Sequence, residues 1–244
     1  MKHLLNTLYV TTQGAYLARE GETVVVRVEK EDRLRVPIHT LGGVVCFGQV
    51  GASPALMGLC GERGVNLSFL SERGRFLARV QGPVSGNVLL RREQYRRADD
   101  GPAAAVLARS LVVGKVINGR TALLRAARRE PDSPAGQALA AAARELAGRL
   151  RELDDASDLE RIRGLEGEAA RAYFEVFDHL VRAQKDAFFF RVRSRRPPLD
   201  NLDALLSFLY TLLMHDVASA LEGVGLDPAV GFLHRDRPGR KSLA

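Results

Sequence analysis

The 244-residue chain is 46% hydrophobic and 27% charged, enough apolar material to bury a core in one large or two modest domains, which excludes an extended or disordered polypeptide. Its formal net charge is +7, from 36 Lys and Arg against 29 Asp and Glu, and only five of those cations are lysines. An arginine-rich coding bias and a polyanionic partner, whose phosphates guanidinium groups grip, account equally well for that excess.

Short β-rich runs cover residues 8–12, 23–28, 33–36, 43–47, 66–69 and 75–80, with turn signals at Gln13-Gly14, Glu20-Gly21, Glu31-Asp32 and Arg73-Gly74. They predict an antiparallel β domain. Ser53 as N-cap with Pro54 in the first turn predicts one short helix over 53–60, packed on the sheet. The breaker cluster Gln81-Gly82-Pro83-Val84-Ser85-Gly86-Asn87 closes this half, and the apolar period beyond it is helical. Helices are expected over 88–97, 103–129, 133–154, 158–182, 202–222 and 227–230; the alanine run 140–143 reads as helix propensity. The fold class is therefore α+β: a β-rich domain over 1–82, a linker over 83–87 and an all-α domain over 88–244.

Cys46 and Cys60 stand in apolar contexts without the spacing of a zinc knuckle or redox pair, so they read as core residues of a protein in a reducing compartment. Residues 1–6 lack an apolar signal core. The longest apolar stretch, 205–214, is broken by Ser207 and Thr211 and is too short to cross a bilayer. A cytoplasmic protein without a membrane partner is expected.

Two segments carry chemistry. Gly164-Leu165-Glu166-Gly167-Glu168 puts a carboxylate between glycines near the start of an amphipathic helix, and Gly231-Phe232-Leu233-His234-Arg235-Asp236-Arg237-Pro238-Gly239-Arg240 sets an imidazole among arginines. Anionic oxygen, neutral nitrogen and guanidinium forks suit metal-dependent phosphodiester chemistry. The plain alternative for Glu166 is a carboxylate at the positive end of a helix, which Glu168 fits better; for His234 it is a loop histidine donating to a carbonyl. The run Arg191-Val192-Arg193-Ser194-Arg195-Arg196, directly after Phe188-Phe189-Phe190, is either a solvated helix end or a phosphate-binding loop. No nucleotide loop, serine nucleophile elbow or paired-cysteine metal site is present in the sequence.

Taken together, these segments resemble the CRISPR-associated endonuclease One family, the integrase of spacer acquisition. The resemblance extends over Val36-Pro37-Ile38-His39-Thr40-Leu41-Gly42-Gly43, Gly64-Val65-Asn66-Leu67-Ser68, Gln94-Tyr95, Val112-Val113-Gly114-Lys115-Val116-Ile117-Asn118, Gly164-Leu165-Glu166-Gly167, Leu205-Leu206-Ser207-Phe208-Leu209-Tyr210 and the His234 segment, whose form looks most like the type I-C branch. It implies that Glu166 and His234 are catalytic metal ligands for Mg2+ or Mn2+, close together in space. Arg191, Arg193, Arg195, Arg196, Arg235, Arg237, Arg240 and Lys241 are the candidate DNA-binding residues. It further implies double-stranded DNA as substrate, a homodimer built with the β domain, and a heterohexamer with a small ferredoxin-like adaptation partner. Asp203 stands where members usually carry asparagine, and the family continues past Ala244 into a helix with a further acidic ligand, so the sequence looks truncated. A general metal-dependent DNA nuclease and a catalytically impaired DNA-binding scaffold are the alternative functions.

Overall fold

The computed structural model describes residues 6–80, 82, 88–192, 194 and 198–244. The expected linker over 83–87 lies outside them. The chain divides into two units, Met1–Leu90 with Thr211–Leu226, and Arg91–Tyr210 with Asp227–Ala244.

In the first unit, one sheet holds β1 (Asn6–Val10), β5 (Leu41–Phe47), β7 (Asn66–Leu70) and β8 (Phe76–Val80) in that order. The other holds β4 (Glu31–Pro37), β3 (Thr23–Val28), β2 (Tyr16–Glu20) and β6 (Gly51–Ala52). With the helices described below this is the α+β class expected, but the sheets are mixed, not antiparallel throughout. Strands β1 and β5, β5 and β7, and β2 and β6 run parallel. The chain returns from β5 to β7 through helix α1 (Pro54–Arg63), and such a crossover lays the second strand parallel to the first. Helix α1 starts as its sequence requires: Ser53 Oγ accepts from the Leu56 N–H at 3.2 Å, with proline in the first turn. It buries Leu56, Leu59 and Cys60 in a core with Leu17, Val24, Val44 and Leu67. Desolvation there pushes the Cys46 thiol up to about 12 and that of Cys60 to about 11, so neither supplies a thiolate at neutral pH.

Two local expectations change. Strand β2 was not predicted, because Ala18, Arg19 and Glu20 have low strand propensity; Leu17 and Ala18, buried between β3 and β6, pack the strand into place. The β3–β4 turn falls at Glu29-Lys30 instead of Glu31-Asp32, with φ of 54° and 70°.

The core of the second unit is made by α3 (Gly101–Ala127), α4 (Pro134–Asp155) and α5 (Leu159–Glu175), capped at their N-termini by Asp100, Ser133 and Asp158. Val112, Val116 and Leu123 meet Leu139, Leu146, Leu153, Ile162 and Leu165. The alanine run contributes more than propensity, since Ala142 and Ala143 are buried in this core. Helix α2 (Val88–Asp99) precedes them, and α6 (Asn201–Gly223) follows. Helix α5 stops seven residues before the expected 182. At that point Phe174 and Phe177 pack on Phe190, whose N–H donates to Asp178 Oδ1 at 2.8 Å, and this cluster turns the chain. Residues 227–230 form a turn, not a helix, because Gln94 Nε2 captures the Asp227 and Val230 carbonyls at 2.8 and 2.9 Å.

Helix α6, at 23 residues, is long and apolar enough by length and composition to cross a bilayer, which corrects the shorter stretch expected. Its polar groups are committed within protein: Asp203 and His215 are buried, Asp203 accepts from the Ser194 N–H at 2.8 Å, and Glu222 pairs with Arg79. Each of those contacts is made to protein within its own unit.

Candidate active site

Glu166 sits in the interior of α5, two turns from its start, so the helix-terminus account of this carboxylate does not apply; Glu160 occupies the first turn. Gly164 and Gly167 are also interior helical positions, and a Cβ on either would meet nothing within 4 Å. These two glycines, three residues apart, share an open face of α5 that is turned away from Glu166. Lys115 on α3 donates to Glu166 Oε1. Glu168 is engaged elsewhere, accepting from Arg149 on α4 at 2.6 Å. Next to Glu166 lies a cavity of about 190 Å³ walled by Val116, Leu146, Tyr173, Phe174 and Tyr210. Burial there, with the nearby Tyr210, raises the Tyr173 phenol above its ordinary range.

His234 is held by backbone anchors on either side. Gln94 and Tyr95 of α2 fix Asp227, the tyrosine hydroxyl donating to its carboxylate at 3.0 Å. Gly231 admits the returning tail: a Cβ there would lie 2.4 Å from the Ser242 carbonyl oxygen, and the Leu243 N–H donates to Pro228 at 3.0 Å. Phe232 and Leu233 pack on the helical core. Arg163 of α5 donates to the Leu233 carbonyl at 2.6 Å, and Glu160 receives both Arg163 and, at 3.2 Å, Arg235.

His234 reaches the surface, yet partial desolvation holds its pKa below the ordinary imidazole value. Arg240, Arg163 and Lys115 push in the same direction, and the Glu166 carboxylate opposes them. Its ring is therefore neutral at pH 7. Glu166, Lys115, His234, Arg163 and Arg240 share one electrostatic neighbourhood.

In kind, an anionic oxygen and a neutral imidazole nitrogen fit a divalent ion. Among the described residues no group of three or more His, Cys, Asp or Glu side chains is arranged to hold a metal. Two such ligands alone would leave most of a divalent ion's coordination to water. Of the candidate DNA-binding residues, Arg191 lies 5.0 Å over the Phe189 ring, Arg235 pairs with Glu160, and Arg237 is exposed. Arg193, Arg195 and Arg196 lie outside the described residues. Asp203, the departure noted in the sequence, is buried, and its own N–H donates to Asp200 at 2.7 Å.

Sequence reasoning passed over the roles of Lys115 and Arg163. For Lys115 a signal existed: a lysine retained in a chain that otherwise uses arginine marks a place where a point charge differs from a fork. Arg163 gave none, because its bond is to a backbone carbonyl 70 residues away.

Residues 8–244 match the family described as CRISPR associated protein Cas1. All of the chain aligns, at 57% identity, with 71% of the CRISPR-associated endonuclease Cas1 1 of Chlorobaculum tepidum. The chain belongs to the Cas1 family. Among solved structures, a casposase bound to integration product superposes with a TM-score of 0.74 at 23% identity, covering 98% of this Cas1-family chain and 67% of that one. The Cas6-RT-Cas1--Cas2 complex does so at 0.70 and 23%, covering 100% of this chain and 26% of the other. At that identity these two likenesses speak for the fold.

Proposed function

We propose that this chain acts in CRISPR adaptation as a DNA integrase, joining the 3′-hydroxyl of a short duplex to a phosphodiester of the array. The supporting observation is a neutral His234 within electrostatic reach of the half-buried Glu166, in a chain 57% identical to a protein named an endonuclease of this family. In the reaction one P–O bond forms and one breaks: the incoming 3′-oxygen takes the phosphorus and the repeat's own 3′-oxygen leaves, collecting a proton. The number of phosphodiesters is conserved, so no nucleotide need be consumed.

Glu166 and His234 would hold Mg2+ or Mn2+, which when bound polarises the phosphate and lowers the pKa of the attacking hydroxyl. Glu166 supplies charge, and His234 supplies a nitrogen that is available because the ring is unprotonated. Arg163 fixes the loop on which that ring is carried. Arg235, Arg237, Arg240 and Lys241 stand on the same segment as His234, and with Arg191, Arg193, Arg195 and Arg196 would neutralise phosphates along the duplex. A homodimer formed through the β-rich unit, and a heterohexamer with a small ferredoxin-like protein, complete the proposed machine in the cytoplasm. The complex of a structurally similar protein with Cas2 supports such a partner. The Gly-Phe-Leu-His-Arg-Asp-Arg-Pro-Gly-Arg form supports the type I-C branch.

The experiment incubates the chain with Mn2+, a labelled duplex bearing a free 3′-hydroxyl and a supercoiled repeat plasmid, beside Glu166→Gln and His234→Ala. Label covalently joined to plasmid, and lost in both variants, is expected. Plasmid nicked without joining would replace the integrase with a general DNA nuclease. Metal-indifferent DNA binding without reaction would leave a scaffold.

A further inference from the structure

The ammonium of Lys115 and the carboxylate of Glu166 are paired across two helices but differ in setting, the lysine side chain being 61% exposed and the glutamate 21%. Elsewhere the chain satisfies carboxylates mainly with guanidinium groups, as in Arg27 with Asp32, Arg79 with Glu222 and Arg149 with Glu168. A guanidinium fork can span both oxygens of a carboxylate, whereas an ammonium is a mobile point charge. Lys115 engages Oε1, and among the described residues Oε2 has no hydrogen-bond or ion-pair partner. An exposed lysine holds such a partner weakly and can swing into water on its flexible stem. The surrounding charges are also unhelpful to an entering cation, since Arg163, Arg240 and Lys115 all act on the same imidazole. Among the described residues Glu166 is the one carboxylate acting on that imidazole, and Lys115 neutralises it.

We propose that Lys115 is the exchangeable counter-cation of Glu166: it holds the carboxylate in metal-free protein and yields it to a divalent cation, so that it sets the concentration at which the site loads. This rests on the reading of Glu166 as a divalent-ion ligand. An arginine at 115 would hold Glu166 more firmly, and an uncharged side chain would leave it open.

The test is Mn2+ binding to the DNA-free chain, followed by the paramagnetic resonance of free Mn2+. Wild type is compared with Lys115→Met, which keeps an unbranched apolar stem, with Glu166→Gln, and with the double variant; thermal melts verify folding. Lys115→Met should bind Mn2+ about three- to tenfold more tightly, the range expected for removing a weak ion pair together with a nearby like charge. That gain should vanish in the Glu166→Gln background, as two residues acting through one interaction require. Equal or weaker binding by Lys115→Met overturns the proposal, as does undetectable binding by both proteins, and so does a gain that survives Glu166→Gln. Wild-type affinity in Glu166→Gln alone is a separate result: it removes Glu166 from the ligand set and fails the parent reading.

Discussion

Arg163 donates to the carbonyl oxygen of Leu233 at 2.6 Å, so one guanidinium on α5, three residues before Glu166, holds the residue next to His234. The loop that carries the imidazole is thereby tied to the helix that carries the carboxylate by a side chain that is neither candidate ligand. Arg163→Met should leave the helical core intact, because Ile162 and Leu165 do the packing there, while the His234 segment loses its tie. The expected result is strand joining reduced about 10- to 100-fold, as for loss of a supporting partner behind a ligand. It should be accompanied by a rise in the His234 pKa, since one of the cations that lowers it is gone. Imidazole NMR titration reads the second effect, to which rehydration of the freed ring adds in the same direction.

His234 also gives stability a pH dependence. Its folded pKa lies below the ordinary 6.5, chiefly through desolvation. Between the folded and unfolded values the unfolded chain binds more protons, so stability from this group rises with pH through that window. It is lost as pH falls below about 6.5. Asp216, whose carboxyl is raised above 3.8 by desolvation, has the opposite sign and acts from about 3.8 upward. Urea midpoints at about pH 5.5 and about pH 7.5 should therefore differ less in His234→Gln than in wild type. An equal difference would mean that other groups carry the dependence.

Much of the fold is legible because its signals are local. Ser53-Pro54 announces α1, and Asp100 followed by Pro102 announces α3 just as clearly, although the expected start was placed two residues later. What the sequence hides is set by long-range contacts. Strand β2 has a poor strand composition and is made by its neighbours, and the end of α5 is fixed by Asp178 and Phe190 across an intervening loop. At the candidate site, Glu166 and His234 stand out in the sequence as residue types in unusual settings. Lys115, 51 residues from Glu166, was quoted within a motif, but nothing local joins it to a carboxylate on another helix.

The β3–β4 turn illustrates a local cost that tertiary structure tolerates. Glu29 and Lys30 both have positive φ, the conformation a two-residue hairpin turn of this hand requires and one in which Asn-Gly is far more comfortable. Replacing Glu29→Asn together with Lys30→Gly should stabilise the first unit by about 1 kcal/mol, raising the melting temperature by ~2–4 °C in a chain of this size. An unchanged or lower melting temperature would show that the two side chains contribute contacts worth as much as the backbone strain.

Gly164 and Gly167 present the converse case, in which stability and function should separate. Each lies inside α5, where glycine costs about 1 kcal/mol relative to alanine, and neither is needed for close packing, since an added Cβ would meet nothing within 4 Å. Three residues apart, the two glycines bare one face of α5 turned about 100° or more from Glu166, and such a strip makes sense if a DNA backbone passes along that face on its way to the carboxylate. Gly164→Ala and Gly167→Ala should therefore each stabilise the chain by about 1 kcal/mol in thermal unfolding. Together they should reduce strand joining by at least about tenfold, a loss of roughly 1.4 kcal/mol in transition-state binding. The measurement pairs melting curves with joining assays on the same preparations. If both variants melt higher and join DNA as well as wild type, the open strip is not where the backbone runs, and the substrate must reach Glu166 from the side of Lys115.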